Sequence, residues 1–176
     1  MSLNQVHLEL TTKCNTSCVF CYTHKAEHIE LNFNNITNYL SFDTLRKLKS
    51  ILICGSLGEP TLYPYFLELI AHLKTEKNLP IEIYSNGSTH NTSWWKNLAE
   101  KLNHNDSVIF ALDGLSDTHK IYRTSKFDTV FENMKTFSKY GGNAVWQCVV
   151  FKHNQHQIDQ IRELAKSIGV KLVLKE

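Results

Sequence analysis

The stretch of sequence that fixes the architecture is VHLELTTKCNTSCVFC, residues 6–21. Its first six residues, Val6–Thr11, form a short β-rich run that is typical of a strand. Three cysteines, Cys14, Cys18 and Cys21, follow within eight residues, too close together for an ordinary disulfide framework. A strand that leads directly into three thiols predicts a metal-binding loop.

Two kinds of metal site are compatible with these cysteines. Three thiolates on one short loop can hold three irons of a [4Fe–4S] cube, which leaves the fourth iron open for another ligand. A structural zinc site is the alternative, because His24 or His28 would complete a Cys3His set. On this second interpretation the chain would be a zinc-stabilised binding module and not an enzyme. The loop by itself leaves both possibilities open.

Length and composition predict one folded domain, or one domain and part of another, and a reducing compartment is the default expectation. The chain has 176 residues, 42% of them hydrophobic and 20% charged, which is enough to bury a core. A formal charge of +2 does not indicate a nucleic-acid partner. There is no apolar run long enough to span a membrane and no basic-then-apolar leader. We therefore expect a cytoplasmic protein without a membrane partner.

The rest of the chain alternates short apolar runs with amphipathic segments, which predicts βαβ crossovers and a parallel sheet. About six such units fit, whereas a full eight-unit barrel needs about 250 residues. We predict an α/β fold with a parallel six-stranded open partial (β/α)6 TIM-like barrel; a flat doubly wound sheet is the alternative. The predicted strands are Val6–Thr11, Ile51–Cys54, Ile81–Ser85, Val108–Leu112, Val145–Phe151 and Lys171–Leu174, and the predicted helices are Phe42–Lys49, Tyr65–Lys77, Trp94–Leu102, Phe127–Tyr140 and Gln155–Ile168.

A second motif follows the second strand, and it reads Cys54-Gly-Ser-Leu-Gly58-Glu59-Pro60. It is neither a dinucleotide fingerprint nor a P-loop, because the third Gly and the Gly-Lys-Ser/Thr are missing. Its two glycines allow a close approach to a small ligand, and Glu59 offers an acceptor suited to an ammonium group. The alternative is a tight turn with a solvated Glu59.

The two motifs together resemble those of the radical S-adenosylmethionine (radical SAM) superfamily. Cys14, Cys18 and Cys21 match its Cys-x3-Cys-x2-Cys loop, and Phe20 matches the aromatic residue before the last cysteine. Gly58-Glu59-Pro60 matches its second motif, although Leu57 stands where Gly is commoner. The resemblance implies one [4Fe–4S] cluster held by the three cysteines, with S-adenosylmethionine (AdoMet) on the open iron. It also implies reductive cleavage of AdoMet to a 5′-deoxyadenosyl radical that takes hydrogen from a substrate.

Later stretches resemble the peptide-modifying branches with SPASM or twitch domains. They are Ala111–Leu115, with Ala111 where many relatives carry Ser, and Phe151–Asn154. Tyr84–Gly87 resembles the Thr-Asn-Gly turn that follows strand three in the superfamily. Those branches continue into a C-terminal region with auxiliary clusters, but no cysteine follows Cys148 here. We therefore expect residues 1–176 to form a single radical SAM core domain, either minimal or truncated. Its open sheet would leave a wide, wet cavity.

The resemblance also assigns roles to individual residues. Gly55, Gly58 and Glu59 would cradle the methionyl amino group, and the backbone near Phe20 would meet the adenine. Four residues at later strand ends would face the ribose or the carboxylate; they are Ser85, Asn86, Asp113 and Arg123. The candidates for the substrate side are Lys152 and Asn154.

The substrate implied is a peptide or protein, and the alternative is a small molecule, as in the deazaguanine-forming type. An electron donor such as flavodoxin or ferredoxin is implied as a partner.

Overall fold

The computed structural model describes residues 4–21, 27–76 and 78–176. Within these residues six parallel strands form one sheet, and their spatial order follows the chain order. A doubly wound sheet reverses its order at a switch point, and this sheet has none. The predicted six-stranded partial barrel is therefore confirmed and the flat doubly wound alternative is wrong. The strands are β1 Gln5–Leu8, β2 Ser50–Ile53, β3 Ile81–Ser85, β4 Ser107–Ala111, β5 Ala144–Val149 and β6 Lys171–Lys175.

Helices connect the strands on one side of the sheet, and all five predicted helical regions contain one. Across the described residues they are α1 Phe33–Tyr39, α2 Phe42–Leu45, α3 Phe66–Leu73, α4 Thr92–Lys101, α5 Ser116–Tyr122, α6 Phe127–Lys139 and α7 Ile158–Ser167. Short 3-10 turns cover Pro60–Leu62 and Gln155–Gln157. The second predicted helix, Tyr65–Lys77, ended at a residue that lies outside the described ones.

Two helices, α1 and α5, were not predicted from the sequence. The α1 sequence FNNITNY consists of residues with modest helix propensity. It begins at Asn32, whose side chain accepts a hydrogen bond from the Asn35 N–H, and it is anchored by buried Ile36. Tertiary packing and one cap therefore outweigh weak local propensity here.

The first and fifth strands are shorter than predicted, because the chain leaves the sheet early at both exits. Beyond Leu8, Thr11 forms an isolated antiparallel bridge with Glu30 instead of extending β1. β5 ends at Val149, and the predicted continuation to Phe151 turns away toward α7. Both early exits lie at the carboxyl edge of the sheet.

The two faces of the sheet differ sharply in polarity. The face toward the helices carries fully buried residues such as Ile51, Ile83 and Trp146. The opposite, concave face carries the alternate positions of each strand, including exposed His7 and half-buried Gln147. Closed barrels fill this space with layers of branched side chains. Here the concave face instead forms the wall of a cavity.

A buried ion pair braces the sheet at the opposite, amino-terminal edge. Lys74 Nζ lies 2.9 Å from Asp106 Oδ1, and that carboxylate also accepts from the backbone N–H groups of Ile81 and Asn103. Asp106 is almost fully buried. Its carboxylate thus ties α3 to the start of β3 and to the loop before β4.

Within the described part of the chain, no helix combines the length and the apolar character needed to cross a bilayer.

Candidate active site

One cavity of about 430 Å³ opens at the carboxyl edge of the sheet. Its wall is the concave face, represented by His7, Leu52, Tyr84, Ile109 and Gln147. The structure brings together on its lining the following residues predicted from the sequence: Cys14, Cys18, Cys21, Gly55, Gly58, Glu59, Ser85, Asn86 and Arg123. Parallel strands bring distant motifs together at this edge, as expected for barrels of this type.

The cysteine loop is held against the segment that follows α5. The Ser17 N–H donates to Thr124 Oγ1 at 2.7 Å, and the Val19 N–H donates to the Tyr122 carbonyl at 3.2 Å. The Cys21 N–H closes the loop on the Cys18 carbonyl at 3.0 Å. These bonds fix the backbone that carries the three thiols.

Two side-chain nitrogen donors approach thiol sulfurs of this loop. Asn86 Nδ2 lies 3.8 Å from Cys14 Sγ and 2.8 Å from Asn15 Oδ1. Arg123 Nη1 lies 4.0 Å from Cys18 Sγ. Both donors follow neighbouring strands, so the loop is contacted from β3 on one side and from the segment after β4 on the other.

The donor set fits an iron–sulfur cluster. Three soft thiol ligands on one loop border a single cavity, and nitrogen donors approach two of them. Across residues 4–21, 27–76 and 78–176, no group of three or more His, Cys, Asp or Glu side chains could hold a single metal ion. His24 of the zinc alternative lies outside these residues, and His28 Nε2 lies 4.0 Å from Glu30 Oε2.

The glycine turn after β2 is packed against the backbone that leads into the cysteine loop. The Glu59 N–H donates to the Lys13 carbonyl at 2.7 Å. On the other side, the carboxylate of Glu9 accepts from the N–H groups of Ser56 at 3.3 Å and Leu57 at 3.2 Å. Sequence reasoning missed Glu9, whose role depends on a partner 47 residues away.

Glu59 is buried, with 2% of its surface exposed, which excludes the solvated-turn alternative. Oε1 accepts from the Thr61 N–H at 3.1 Å, from Thr61 Oγ1 at 2.6 Å and from Ser85 Oγ at 2.7 Å. Oε2 accepts from the Asn86 N–H at 2.7 Å. Burial raises the pKa of Glu59, and these hydrogen bonds oppose that rise. A carboxylate has about four lone-pair sites, and Oε2 uses one of its two.

Asp113 and Arg123 form a buried ion pair at the exit of β4. Arg123 Nε lies 2.6 Å from Asp113 Oδ2, and Asp113 Oδ1 accepts from the Val149 N–H at 2.7 Å. Burial alone would lower the pKa of Arg123, but the carboxylate beside it raises that pKa above its usual value. Arg123 lines the cavity, whereas Asp113 stands behind it and orients its guanidinium.

His119 contacts the backbone of Asp113 in this pair. Its Nδ1 accepts from the Asp113 N–H at 3.1 Å, and its Nε2 contacts Ser125 Oγ at 3.0 Å. Burial lowers the pKa of His119 to about 4. The imidazole is therefore neutral at physiological pH.

Besides Asp113, three predicted residues do not line the cavity. The ring of Phe20 is 72% exposed and lies 5.9 Å from the Tyr122 ring. Lys152 is exposed on the turn after β5. Asn154 is fully buried, donating to the Val149 carbonyl at 2.8 Å and accepting from the Phe151 N–H at 2.7 Å. The structure therefore gives Asn154 a turn-holding position.

Sequence reasoning also missed cavity residues on the concave face. Tyr84 donates to Glu82 Oε1 at 2.6 Å, and burial and this hydrogen bond raise the pKa of Tyr84 to about 12. Cys54 lies just beyond β2 and borders the cavity. Burial is the main cause that raises the pKa of its thiol, and the negative charges of Glu9 and Glu82 add to it. The period-two alternation of the strands was the signal that could have found them.

The fold and this cavity define a partial (β/α) barrel with a thiolate cluster loop and a ligand site at the carboxyl edge of its strands. The chain belongs to the radical SAM superfamily, whose profile matches residues 8–165. Enzymes of this superfamily use a [4Fe–4S] cluster and AdoMet.

Individual relatives are similar over nearly the whole chain but are longer. The tungsten-containing aldehyde ferredoxin oxidoreductase cofactor-modifying protein of Pyrococcus furiosus is 24% identical over 98% of this chain and 51% of its own length. Among solved structures, native anSMEcpe with bound AdoMet and Cp18Cys peptide has a TM-score of 0.76 and 22% identity over 98% of this chain and 50% of that one. Streptococcus suis SuiB bound to precursor peptide SuiA has a TM-score of 0.80 and 18% identity over 99% and 39%. These two structures support the fold. The chain spans about half the length of the curated relative above.

Proposed function

We propose that the chain is the catalytic core of a radical SAM enzyme, with one [4Fe–4S] cluster on Cys14, Cys18 and Cys21 and AdoMet in the adjoining cavity. The observation that carries the proposal is that these cysteines border the same cavity as the Gly58–Glu59 turn and the ends of β3 and β4. When bound, the cluster supplies the electron for reductive cleavage of the AdoMet sulfonium.

The chain's own groups suit the two charged ends of AdoMet. Oε2 of Glu59 has capacity for one more donor, which suits the methionyl ammonium. Arg123 has five N–H groups, and its guanidinium borders the cavity with Asp113 holding its Nε. We assign its remaining donors to the methionyl carboxylate. Ala111 contributes no hydroxyl there, and we assign this contact on the β4 side to Arg123.

The neighbouring predicted residues act on Glu59 and on the cluster loop. Ser85 donates to Glu59 Oε1, and the Asn86 N–H donates to Oε2. Gly55 and Gly58 present bare backbone at the cavity. We assign Ser85 to orienting the glutamate and the glycines to close approach of the ligand, and the adenine is assigned to the backbone near Phe20.

We propose a peptide or protein as the substrate class. The support is the likeness in fold to two structures that contain bound peptides, and the open concave face, on which the lining residue His7 is exposed. A small-molecule substrate is the second candidate, because a relative over nearly the whole chain is described as cofactor-modifying. A flavodoxin or ferredoxin is the proposed electron donor. Thiolate ligands suit a reducing compartment, so a cytoplasmic location remains our prediction.

Cysteine variants of the anaerobically reconstituted chain test the cluster assignment. Each of Cys14→Ala, Cys18→Ala and Cys21→Ala removes one of three ligands, so we expect loss of bound iron and of AdoMet cleavage. Cys148→Ala is the matched control, since Cys148 is buried in β5 and away from the cavity lining. Iron loss in the Cys148 variant equal to that in the loop variants would refute the assignment.

Substrate class is tested separately, by 5′-deoxyadenosine release. Water reaches an open cavity, so slow cleavage without substrate is expected. A peptide substrate should accelerate release and be modified, with a mass change that mass spectrometry locates. Acceleration by a small-molecule fraction, with peptides inert, would favour the second candidate.

A further inference from the structure

Asn86 occupies a position that the AdoMet assignment does not explain. Its side-chain amide is fixed at both ends and points at the cysteine loop. Nδ2 donates to Asn15 Oδ1 at 2.8 Å and to Cys14 Sγ at 3.8 Å. Oδ1 accepts from the N–H and the hydroxyl of Ser88, at 2.9 and 2.8 Å. These contacts commit the amide to the loop that carries the cluster ligands.

The backbone of Asn86 is fixed as well, by Glu59. The Asn86 N–H donates to Glu59 Oε2 at 2.7 Å, and Asn86 itself is buried. Because Asn15, Ser88 and Glu59 all hold this residue, its amide cannot swing away from Cys14 without breaking several hydrogen bonds, and buried or part-buried groups are costly to leave unpaired.

Arg123 approaches a second thiol from the opposite side of the loop. Its Nη1 lies 4.0 Å from Cys18 Sγ, and its Nε is held by buried Asp113. Cys18 is the most buried of the three cluster cysteines, with 5% exposure, so little water competes with this cation. A positive charge and an N–H donor are therefore brought to one ligand, and a neutral N–H donor to another.

We propose that Asn86 and Arg123 are positioning residues that donate to the Cys14 and Cys18 thiolates and raise the reduction potential of the cluster. The physical reason is that reduction adds negative charge, which is shared with the ligand sulfurs. Hydrogen bonds and positive charge at the sulfurs stabilise that reduced state. This inference rests on the proposed function, because it requires a cluster on the three cysteines.

The experiment is an anaerobic redox titration of the reconstituted chain without AdoMet, following the electron paramagnetic resonance signal of the reduced cluster. Leaving AdoMet out separates this role from any contact that the same residues make with it. Asn86→Ala removes the donor to Cys14. Arg123→Lys keeps a cation beside Asp113 but replaces the planar fork that reaches both Asp113 and Cys18. Both variants should have a lower midpoint potential than the unmodified chain.

Asn133→Ala is the matched control. The Asn133 amide is also buried and donates to the Gly87 carbonyl at 2.9 Å, so it supports the same loop after β3 from the far side. Its hydrogen bonds in the described part of the chain go to backbone carbonyls and not to a thiol. Its loss should reduce stability while leaving the midpoint potential unchanged, which separates tuning from simple loosening of the loop.

The outcomes are distinguishable. An unmodified chain that binds no iron overturns the proposed function. Full iron content with unchanged potential in Asn86→Ala and Arg123→Lys overturns the inference, as does an equal fall in Asn133→Ala. If Asn86→Ala fails to retain the cluster, the potential of Arg123→Lys against that of Asn133→Ala decides.

Discussion

Gly58→Ala is the substitution whose effect the structure defines most sharply. A Cβ at this position would lie 2.2 Å from the Thr11 carbonyl oxygen and 2.6 Å from that of Lys13. Both atoms are backbone, in the segment that runs from β1 into Cys14. Gly58 does not have a positive φ, so the requirement for glycine comes from space and not from conformation.

The clash sets the size of the effect. Real Cβ atoms stay at least 3.0 Å from such neighbours, so the 2.2 Å contact must open by about 0.8 Å. Overpacking of this kind costs about 1–3 kcal/mol. The movement would also break the 2.7 Å bond from the Glu59 N–H to the Lys13 carbonyl. Because Lys13 adjoins Cys14, we expect lower stability and lower iron retention together.

Urea unfolding of the apo chain measures the first effect, and iron content after reconstitution measures the second. Gly55→Ala is the control, because its Cβ would lie 3.1 Å from the Gly58 carbonyl and 3.2 Å from that of Tyr84. A few tenths of an ångström of adjustment accommodate it. If Gly58→Ala matched Gly55→Ala in both unfolding and iron content, the clash at Gly58 would be excluded as a determinant of stability and cluster retention.

Three further substitutions have defined outcomes. Glu59→Gln should lower the free energy of unfolding by about 1–3 kcal/mol, because an amide cannot accept from all the donors now on the carboxylate, and should weaken AdoMet binding; unfolding and binding titrations that match the unmodified chain would contradict this. His119→Gln should flatten the acid limb of stability: the folded pKa is about 4 and the unfolded value 6.5, so the buried neutral imidazole stabilises fully above 6.5 and loses that contribution as pH falls toward 4. Urea unfolding at a series of pH values measures this, and the same dependence of the free energy of unfolding on pH in the variant and the unmodified chain would disprove it. Asp106→Asn removes the charge opposite Lys74 in a buried pair and should cost about 3–5 kcal/mol; unchanged thermal unfolding would exclude that role.

The sheet could be predicted from the sequence because the patterns that mark each strand and helix are local. Runs such as Ile81–Ser85 are bounded by helical segments, and their alternation with helices leaves few topologies. The three cysteines and Gly58-Glu59-Pro60 identified both sides of the site because their spacing is contained within single loops. Glu59 comes after the end of β2, at the edge of the sheet where polar residues of this fold converge.

What escaped prediction depends on contacts between distant parts of the chain. Glu9 binds the turn after β2, and Thr124 accepts from the cysteine loop at a separation of 107 residues. Asn154 looked like a substrate contact because it follows β5, yet its side chain closes its own turn. Nothing in the local pattern distinguishes an amide that faces a cavity from one that holds a turn.

Metal analysis of the anaerobically reconstituted chain decides whether its three loop cysteines hold an iron–sulfur cluster. Iron and zinc are counted per chain by mass spectrometry, with the Cys148→Ala chain measured alongside. We expect about four iron per chain and no stoichiometric zinc, as one [4Fe–4S] cluster requires. One zinc per chain without iron would contradict it.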